Sequence, residues 1–470
     1  MTLTPMPADP LVGADLARNR RRALWSAMFG TLIEYYDFFL YSLLAAVALG
    51  PLFFPRADPT VGLIASFATL AVGWFARPVG ALMMSVIGDR VGRRNVLVIT
   101  ALAMGVASVL IGLLPTYATI GIWAPVLLVV LRIVQGLAAG GEFGGGLLMS
   151  VEYAEPDRRG RASAAPQLGL YGGIILANAG LLLVSLLPRE QFLSWGWRLP
   201  FLASAVLVFI TVRLRTRVEE TPVFEAEKKA KRLAERPLGE MFRTQWRPLL
   251  VLIVVMLIVT TGSAFYTSFL PAYAIQRGFS ASVALSMSLV GTTIGIVLAP
   301  LAAALSDRFG RRRVTSVGIA FIPVMAWAAF AAVGMGTVGF AVLAGALSVL
   351  AHAVAFGTAT VWVSEFFPTR YRYSGTSIGY QVASALGAGI FPLAAAALMA
   401  AAGGPPHYAP VVVYLVVLAV ISLVSVRFAR ETARVSFSEL DDPEAPALVN
   451  PQATDRSVQP GRPTRQVTGD

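Results

Sequence analysis

The chain has 470 residues, of which 56% are apolar and only 14% charged, whereas a soluble globular domain is nearer a quarter charged, so the composition excludes that class. A formal net charge of +12 would suit a nucleic-acid partner, but Arg and Lys gather in every second connection between apolar runs, the positive-inside pattern of a multi-span membrane protein. With no Cys and only His352 and His407, disulfides, thiolate metal sites and histidine metal clusters are excluded too.

The basic start, Arg18-Asn19-Arg20-Arg21-Arg22, leads into an apolar run too long for a signal-peptide core. The first span therefore reads as a signal anchor, with 1–22 as a cytoplasmic N-terminal segment. Apolar runs long enough to cross about 30 Å of hydrocarbon predict twelve spans. They fall near 23–50, 62–86, 95–114, 122–148, 163–187 and 197–213, then 248–272, 283–304, 314–334, 338–363, 374–401 and 409–428.

In the first span Gly30, Glu34, Asp37 and Tyr41 are spaced four, three and four apart and share one helical stripe. An acid at bilayer depth costs about 2.5–3.5 kcal/mol, so Glu34 and Asp37 are expected to face a bundle interior or a water-filled path. A carboxylate balanced between desolvation and a nearby cation takes up and releases a proton near neutral pH, and two close acids titrate as a pair. The competing reading is a permanent salt bridge to an arginine of another span. Tyr36 and Tyr41 are candidate binding residues beside them.

The second span carries Arg77, in Phe75-Ala76-Arg77-Pro78, and ends on Gly88-Asp89-Arg90-Val91-Gly92-Arg93-Arg94. Gly92 permits a tight turn, and Asp89 sits at a helix end where the dipole disfavours a carboxylate unless a partner holds it. The fourth span carries Arg132, Gln135, Gly136, Gly140, Glu142 and Gly144. A planar guanidinium suits a carboxylate bidentately, and the candidates for Arg77 and Arg132 are Glu34, Asp37, Glu142 or a substrate carboxylate. The glycines at intervals of four allow close helix approach. Gly140 to Gly146 lacks the Lys-Ser/Thr of a phosphate loop, so no nucleotide site is expected. Gln167, Tyr171 and Asn178 in the fifth span are candidate cavity liners.

The linker 214–247 is charged, with a helix expected from Val218 to Glu235. Beyond it, Ser263 and Tyr266 (seventh span), His352 and Trp362 (tenth), and Tyr380 and Gln381 (eleventh) are further candidate liners, His352 reading more readily as a packing residue. Ser306-Asp307-Arg308-Phe309-Gly310-Arg311-Arg312 repeats the loop after the second span, and Glu365-Phe366-Phe367-Pro368-Thr369-Arg370 repeats Glu152 and its neighbours. Glu142, Glu152 and Glu365 are candidates for buried ion pairs. Two landmarks recurring at nearly one spacing imply duplicated halves, 23–213 and 248–429. The segment 430–470 is rich in Pro, Asp, Gln and Thr, has no apolar heptads, and is expected to be a disordered cytoplasmic tail.

The duplicated Asp-Arg-x-Gly-Arg-Arg loop resembles that of the major facilitator superfamily. Ile33-Glu34-Tyr35-Tyr36-Asp37-Phe38, the glycine-rich fourth span, Ser194-Trp195-Gly196-Trp197-Arg198-Leu199-Pro200-Phe201 and Glu220-Thr221-Pro222-Val223-Phe224 narrow the resemblance to its metabolite:proton symporter family. Tyr35 stands where that family usually has Trp, and the tail lacks the coiled coil of the proline/betaine branch. The resemblance implies an all-α integral membrane fold of twelve transmembrane helices in two pseudo-symmetric six-helix halves. It also implies proton-coupled symport of a small organic acid by alternating access, with no cofactor. Asp37 and Glu34 would then sense protons, Arg77 and Arg132 would read substrate charge, and the loop motifs at Gly88, Asp89, Arg90, Gly92 and Arg93 and at Asp307, Arg308, Gly310 and Arg311 would gate the cytoplasmic end. Its partners would be the anion, protons and the lipid bilayer of the cell inner membrane, with both termini cytoplasmic and one chain sufficient. The alternatives are a zwitterionic osmolyte symporter, an exporter of drugs or metabolites and, remotely, an intramembrane enzyme.

Overall fold

A chain segment crossing hydrocarbon must satisfy its own backbone hydrogen bonds, and a helix does so within the segment. The computed structural model describes residues 10–55, 59–152, 154–218, 237–435 and 437–440, and every regular element among them is helical. Twelve helices form the frame. In the first six spans these are α1 (Pro10–Leu44), α2 (Pro59–Val91), α3 (Arg93–Leu113), α4 (Trp123–Val151), α5 (Ala164–Ser185) and α6 (Arg198–Arg215). In the last six they are α7 (Trp246–Ala264), α8 (Ala281–Phe309), α9 (Arg311–Gly334), α10 (Val338–Val363), α11 (Thr369–Ser384) and α12 (Ala409–Val426).

Ten of the spans are long and apolar enough to cross a membrane, and α6 makes an eleventh together with Arg189–Gly196, bent from it by 41°. α1 completes the expected twelve; Glu34, Asp37, Tyr35, Tyr36 and Tyr41 lower its apolarity. It starts well before the predicted run because arginines are good helix formers and carry the helix on beyond the apolar stretch. α1 and α7 both pass into a wider π-type turn, Ala45–Leu49 and Phe265–Phe269, and then into a short helix, so the two groups repeat in shape as well as in motif. The linker helix expected for Val218 to Glu235 lies, past Val218, outside the described residues.

Within the first six, α1 packs on α5, and α4 packs on α2 and α3; within the last six, α10 packs on α8 and α9, and α7 on α11 and α12. The two groups meet where α5 lies against α8 and where α11 crosses α2 and α4. The glycine stripe of α4 explains part of this geometry. A methyl at Gly136 would strike the carbonyl of Gly73, and one at Gly140 the carbonyl of Arg77, so α2 and α4 approach backbone to backbone. Gly144 turns elsewhere and leaves room for Ser377 of α11. Gly92 and Gly310 hold φ of 93° and 95°, which an L side chain rarely adopts, at the tight corners joining α2 to α3 and α8 to α9.

Candidate functional site

Glu34 and Asp37 lie on the inner stripe of α1 and are 1% and 2% exposed. With Phe38, Arg77 of α2, and Arg132 and Gln135 of α4, they line a cavity of about 10 Å³, roughly the room of one water. Arg77 Nη1 donates to Glu34 Oε1 at 2.9 Å, and its guanidinium carbon lies 4.4 Å from the centre of the Trp74 ring and 4.6 Å from that of Phe38. Glu34 Oε2 is buried with no hydrogen-bond partner among the described residues.

Asp37 is held differently. Ser204 of α6 donates to its Oδ1 at 2.6 Å, and Ser108 of α3 donates to its Oδ2. Gln135 Nε2 donates to Ser108 Oγ at 2.7 Å, and Arg132 Nη1 donates to Gln135 Oε1 at 2.8 Å. Arg132 stacks over Tyr41 at 4.0 Å, while its Nε and Nη2 are buried without acceptors among the described residues. The Tyr41 hydroxyl itself meets Thr69. Ser108 and Ser204 were not legible in the sequence, because a serine in an apolar helix commonly bonds only its own backbone. The one available signal was their falling at the depth of Asp37.

Nearer the arginine-rich end, Glu142 pairs with Arg215 and accepts from Thr100 at 3.0 Å. Its partner is thus neither Arg77 nor Arg132 but a residue that the sequence places at the start of the linker. At that end the two groups of helices are tied together. Asp307 accepts from the backbone N–H of Gly160 at 2.9 Å and of Arg161 at 3.2 Å, and pairs with Arg311 at 2.8 Å. Glu365 lies between Arg311 and Arg159, at 3.3 and 3.5 Å, and Glu152 faces Arg372 at 3.6 Å.

The chain after α12 joins this network, against the expectation of a disordered segment from 430. Glu431 caps the start of α9, accepting from the backbone N–H of Arg311 and Arg312 at 2.8 and 3.0 Å. Thr432 donates to Glu365 at 2.5 Å, and Arg159 donates to the Val435 carbonyl at 2.8 Å. Phe437 receives Arg159 at 3.5 Å and Arg372 at 3.8 Å. Residues 441–470 lie outside the described residues.

The other candidates are dispersed. Tyr36 donates to the Pro200 carbonyl at 2.7 Å, away from the cavity, and Asn178 bonds Ile174 of its own helix. Gln167 crosses to α10, donating to the Gly357 carbonyl at 2.9 Å, and Tyr171 packs where Gly295 of α8 leaves space. Tyr266 lies 5.0 Å from the His352 ring, whose Nδ1 meets the Val259 carbonyl at 3.1 Å. Trp362 is no cavity liner; its Nε1 donates to the Arg430 carbonyl at 3.0 Å. Gln381 donates to the Ala139 carbonyl at 3.2 Å. Tyr380 stacks on Phe143 at 3.5 Å, and its hydroxyl meets that of Tyr35 at 2.9 Å. Gly88 rests against Tyr373, and Arg308 is exposed beside Phe309. The side chains of Asp89, Arg90 and Arg93 lie outside the described residues.

Comparison with known proteins sets this geometry in context. Residues 27–392 match the model described as Major Facilitator Superfamily, with a second match over 292–458. The chain is 38% identical over 429 residues to the inner membrane metabolite transport protein YhjE of Escherichia coli, covering 89% of this chain and 96% of that one. It is 38% identical over 387 residues to the Escherichia coli shikimate transporter, covering 81% and 88%. To the proline/betaine transporter of the same organism it is 33% identical over 427 residues, covering 88% and 84%. Its fold is similar to that of the proton:xylose symporter XylE bound to 6-bromo-6-deoxy-D-glucose, with a TM-score of 0.75, 18% identity, and coverage of 90% and 99%.

Proposed function

Because the chain belongs to the major facilitator superfamily, and is a multi-pass membrane transporter rather than an enzyme, we propose that it carries a small organic anion together with a proton by alternating access. One observation carries this reading: Arg132 presents two buried nitrogens, Nε and Nη2, with no acceptor among the described residues, at a cavity that also holds Asp37. A guanidinium with an open edge suits a carboxylate, and an acid held by neutral hydroxyls beside it is suited to exchanging a proton.

The named relatives include transporters of shikimate and of proline/betaine. The anion is favoured over the zwitterion because the aromatic faces at the cavity are already occupied. Arg77 covers Trp74 and Phe38, and Arg132 covers Tyr41, leaving these rings unavailable to a quaternary ammonium. In this reading the halves 23–213 and 248–429 rock against each other, and the cavity, lined by residues of α1 to α4, lies within the first of them. The arginine-rich end is cytoplasmic, both termini lie in the cytoplasm, and one chain in the inner membrane suffices. A proton entering with the field contributes about 2.3 kcal/mol per 100 mV, enough for roughly fifty-fold accumulation of a neutral co-substrate; with a monoanion the two charges cancel and the proton concentration gradient alone drives uptake.

The test is uptake of labelled shikimate and glycine betaine into proteoliposomes under an imposed inward proton gradient. Wild type accumulates the acid in proportion to the gradient. Asp37→Asn abolishes that dependence while retaining substrate exchange, and Arg132→Gln weakens the acid's affinity at least about tenfold. Shikimate uptake indifferent to the gradient in the wild type would overturn the reading.

A further inference from the structure

Ser108 does more than satisfy Asp37. Its hydroxyl lies within reach of two acceptors, the Asp37 carboxylate and the Met104 carbonyl at 3.0 Å, yet it has one proton to donate. Its oxygen also accepts from Gln135 Nε2 at 2.7 Å, and Gln135 Oε1 accepts from Arg132 at 2.8 Å. Ser108, Gln135 and Arg132 are all buried, so solvent does not compete for these bonds. The charged groups around Asp37 are Arg132 from α4, Arg77 from α2 and Glu34 on α1 itself. α3 and α6 present the Ser108 and Ser204 hydroxyls, and the phenol of Tyr36 is turned to Pro200.

We infer that Ser108 and Gln135 form a relay that reports the protonation of Asp37 to Arg132 and so sets the order of loading, proton before substrate. With Asp37 ionised, Ser108 donates to it. That polarises its oxygen into a strong acceptor for Gln135, and Gln135 in turn holds Arg132. When Asp37 takes a proton, the new O–H donates to Ser108, whose own hydroxyl turns to Met104. The serine oxygen then accepts two bonds and holds Gln135 less firmly. Arg132 Nη1 is released and joins Nε and Nη2 as a free edge for an incoming carboxylate. Ser108 and Gln135 act here as positioning residues, and the inference rests on the proton-coupled reading above.

The experiment is pH-difference infrared spectroscopy on the detergent-solubilised full chain, which needs no substrate. The wild type shows a protonated-carboxyl band that is absent in Asp37→Asn. Ser108→Ala changes the frequency of that band and displaces its titration midpoint by about one pH unit, tenfold in proton affinity. Gln135→Leu, which touches neither oxygen of Asp37, displaces the midpoint by a smaller but resolved amount. Ser108→Thr restores the hydroxyl and the wild-type band. Should Ser108→Ala not fold, Gln135→Leu and Ser108→Thr carry the comparison. A Gln135→Leu midpoint equal to that of the wild type overturns the relay and leaves proton coupling standing. A wild type without an Asp37 band overturns proton coupling, and the relay with it.

Discussion

Glu142 and Arg215 place opposite charges in contact inside the first six helices, at a spot that a side chain on Gly30 would fill. Removing one partner leaves a buried charge unanswered, at a cost of about 3–5 kcal/mol. Arg215→Met should therefore lower the unfolding temperature in detergent sharply, and Glu142→Gln with Arg215→Met should recover most of the loss. Gly30→Ala should destabilise through the same pair, because its methyl overlaps the guanidinium and the carboxylate. The acids at 34, 37 and 142 stood out in the sequence because charge in an apolar run is conspicuous wherever it falls. Their partners did not stand out. Pairing depends on the rotation and depth of neighbouring helices, and Arg215 sits among other arginines, Arg213 and Arg217, from which only packing distinguishes it.

The segment following α12 behaves as a strap across the arginine-rich end. It caps α9 through Glu431, bonds Glu365 through Thr432, and lays Phe437 against arginines contributed by both groups of helices. Cation–π contacts of this kind contribute about 0.5–1 kcal/mol each where exposed, and more when desolvated. Ending the chain after Arg427 should loosen the junction of Arg159, Glu365 and Arg311. The chain has no native Cys, so Ser377→Cys, buried between α11 and α4, gives a clean readout. Its labelling by a small maleimide should quicken about fivefold on truncation, equivalent to ~1 kcal/mol; an unchanged rate would show that the strap carries no closing energy. Composition could not reveal this element. Pro, Asp, Gln and Thr are enriched after Arg434, but a few residues, Glu431, Thr432 and Phe437, make the contacts, and their partners lie far away in the chain.

Across the whole molecule, the contacts between the six-helix groups include two levels of different chemistry: the ionic network at the arginine-rich end, and the Tyr35–Tyr380 and Phe143–Tyr380 contacts beside the cavity. Asp307→Asn with Glu365→Gln removes two of the acids that join the groups at the first level, keeps the Glu152–Arg372 pair, and leaves the second level intact. The double variant should label at Ser377→Cys faster than either single one, but by less than the product of their effects if the network acts as a unit, because either single change already breaks it. Membrane class, helical fold, the twelve spans and the duplicated motifs were all determined by the sequence alone, because spanning hydrocarbon imposes a local rule on every segment: length, apolarity and a backbone that satisfies itself. Only the tertiary structure decided that Glu34 meets Arg77, that Glu142 meets Arg215, that two serines hold Asp37, and that Arg132 keeps an open edge. These depend on which helix faces which, and at what height, and that is settled by close packing between segments far apart in the chain.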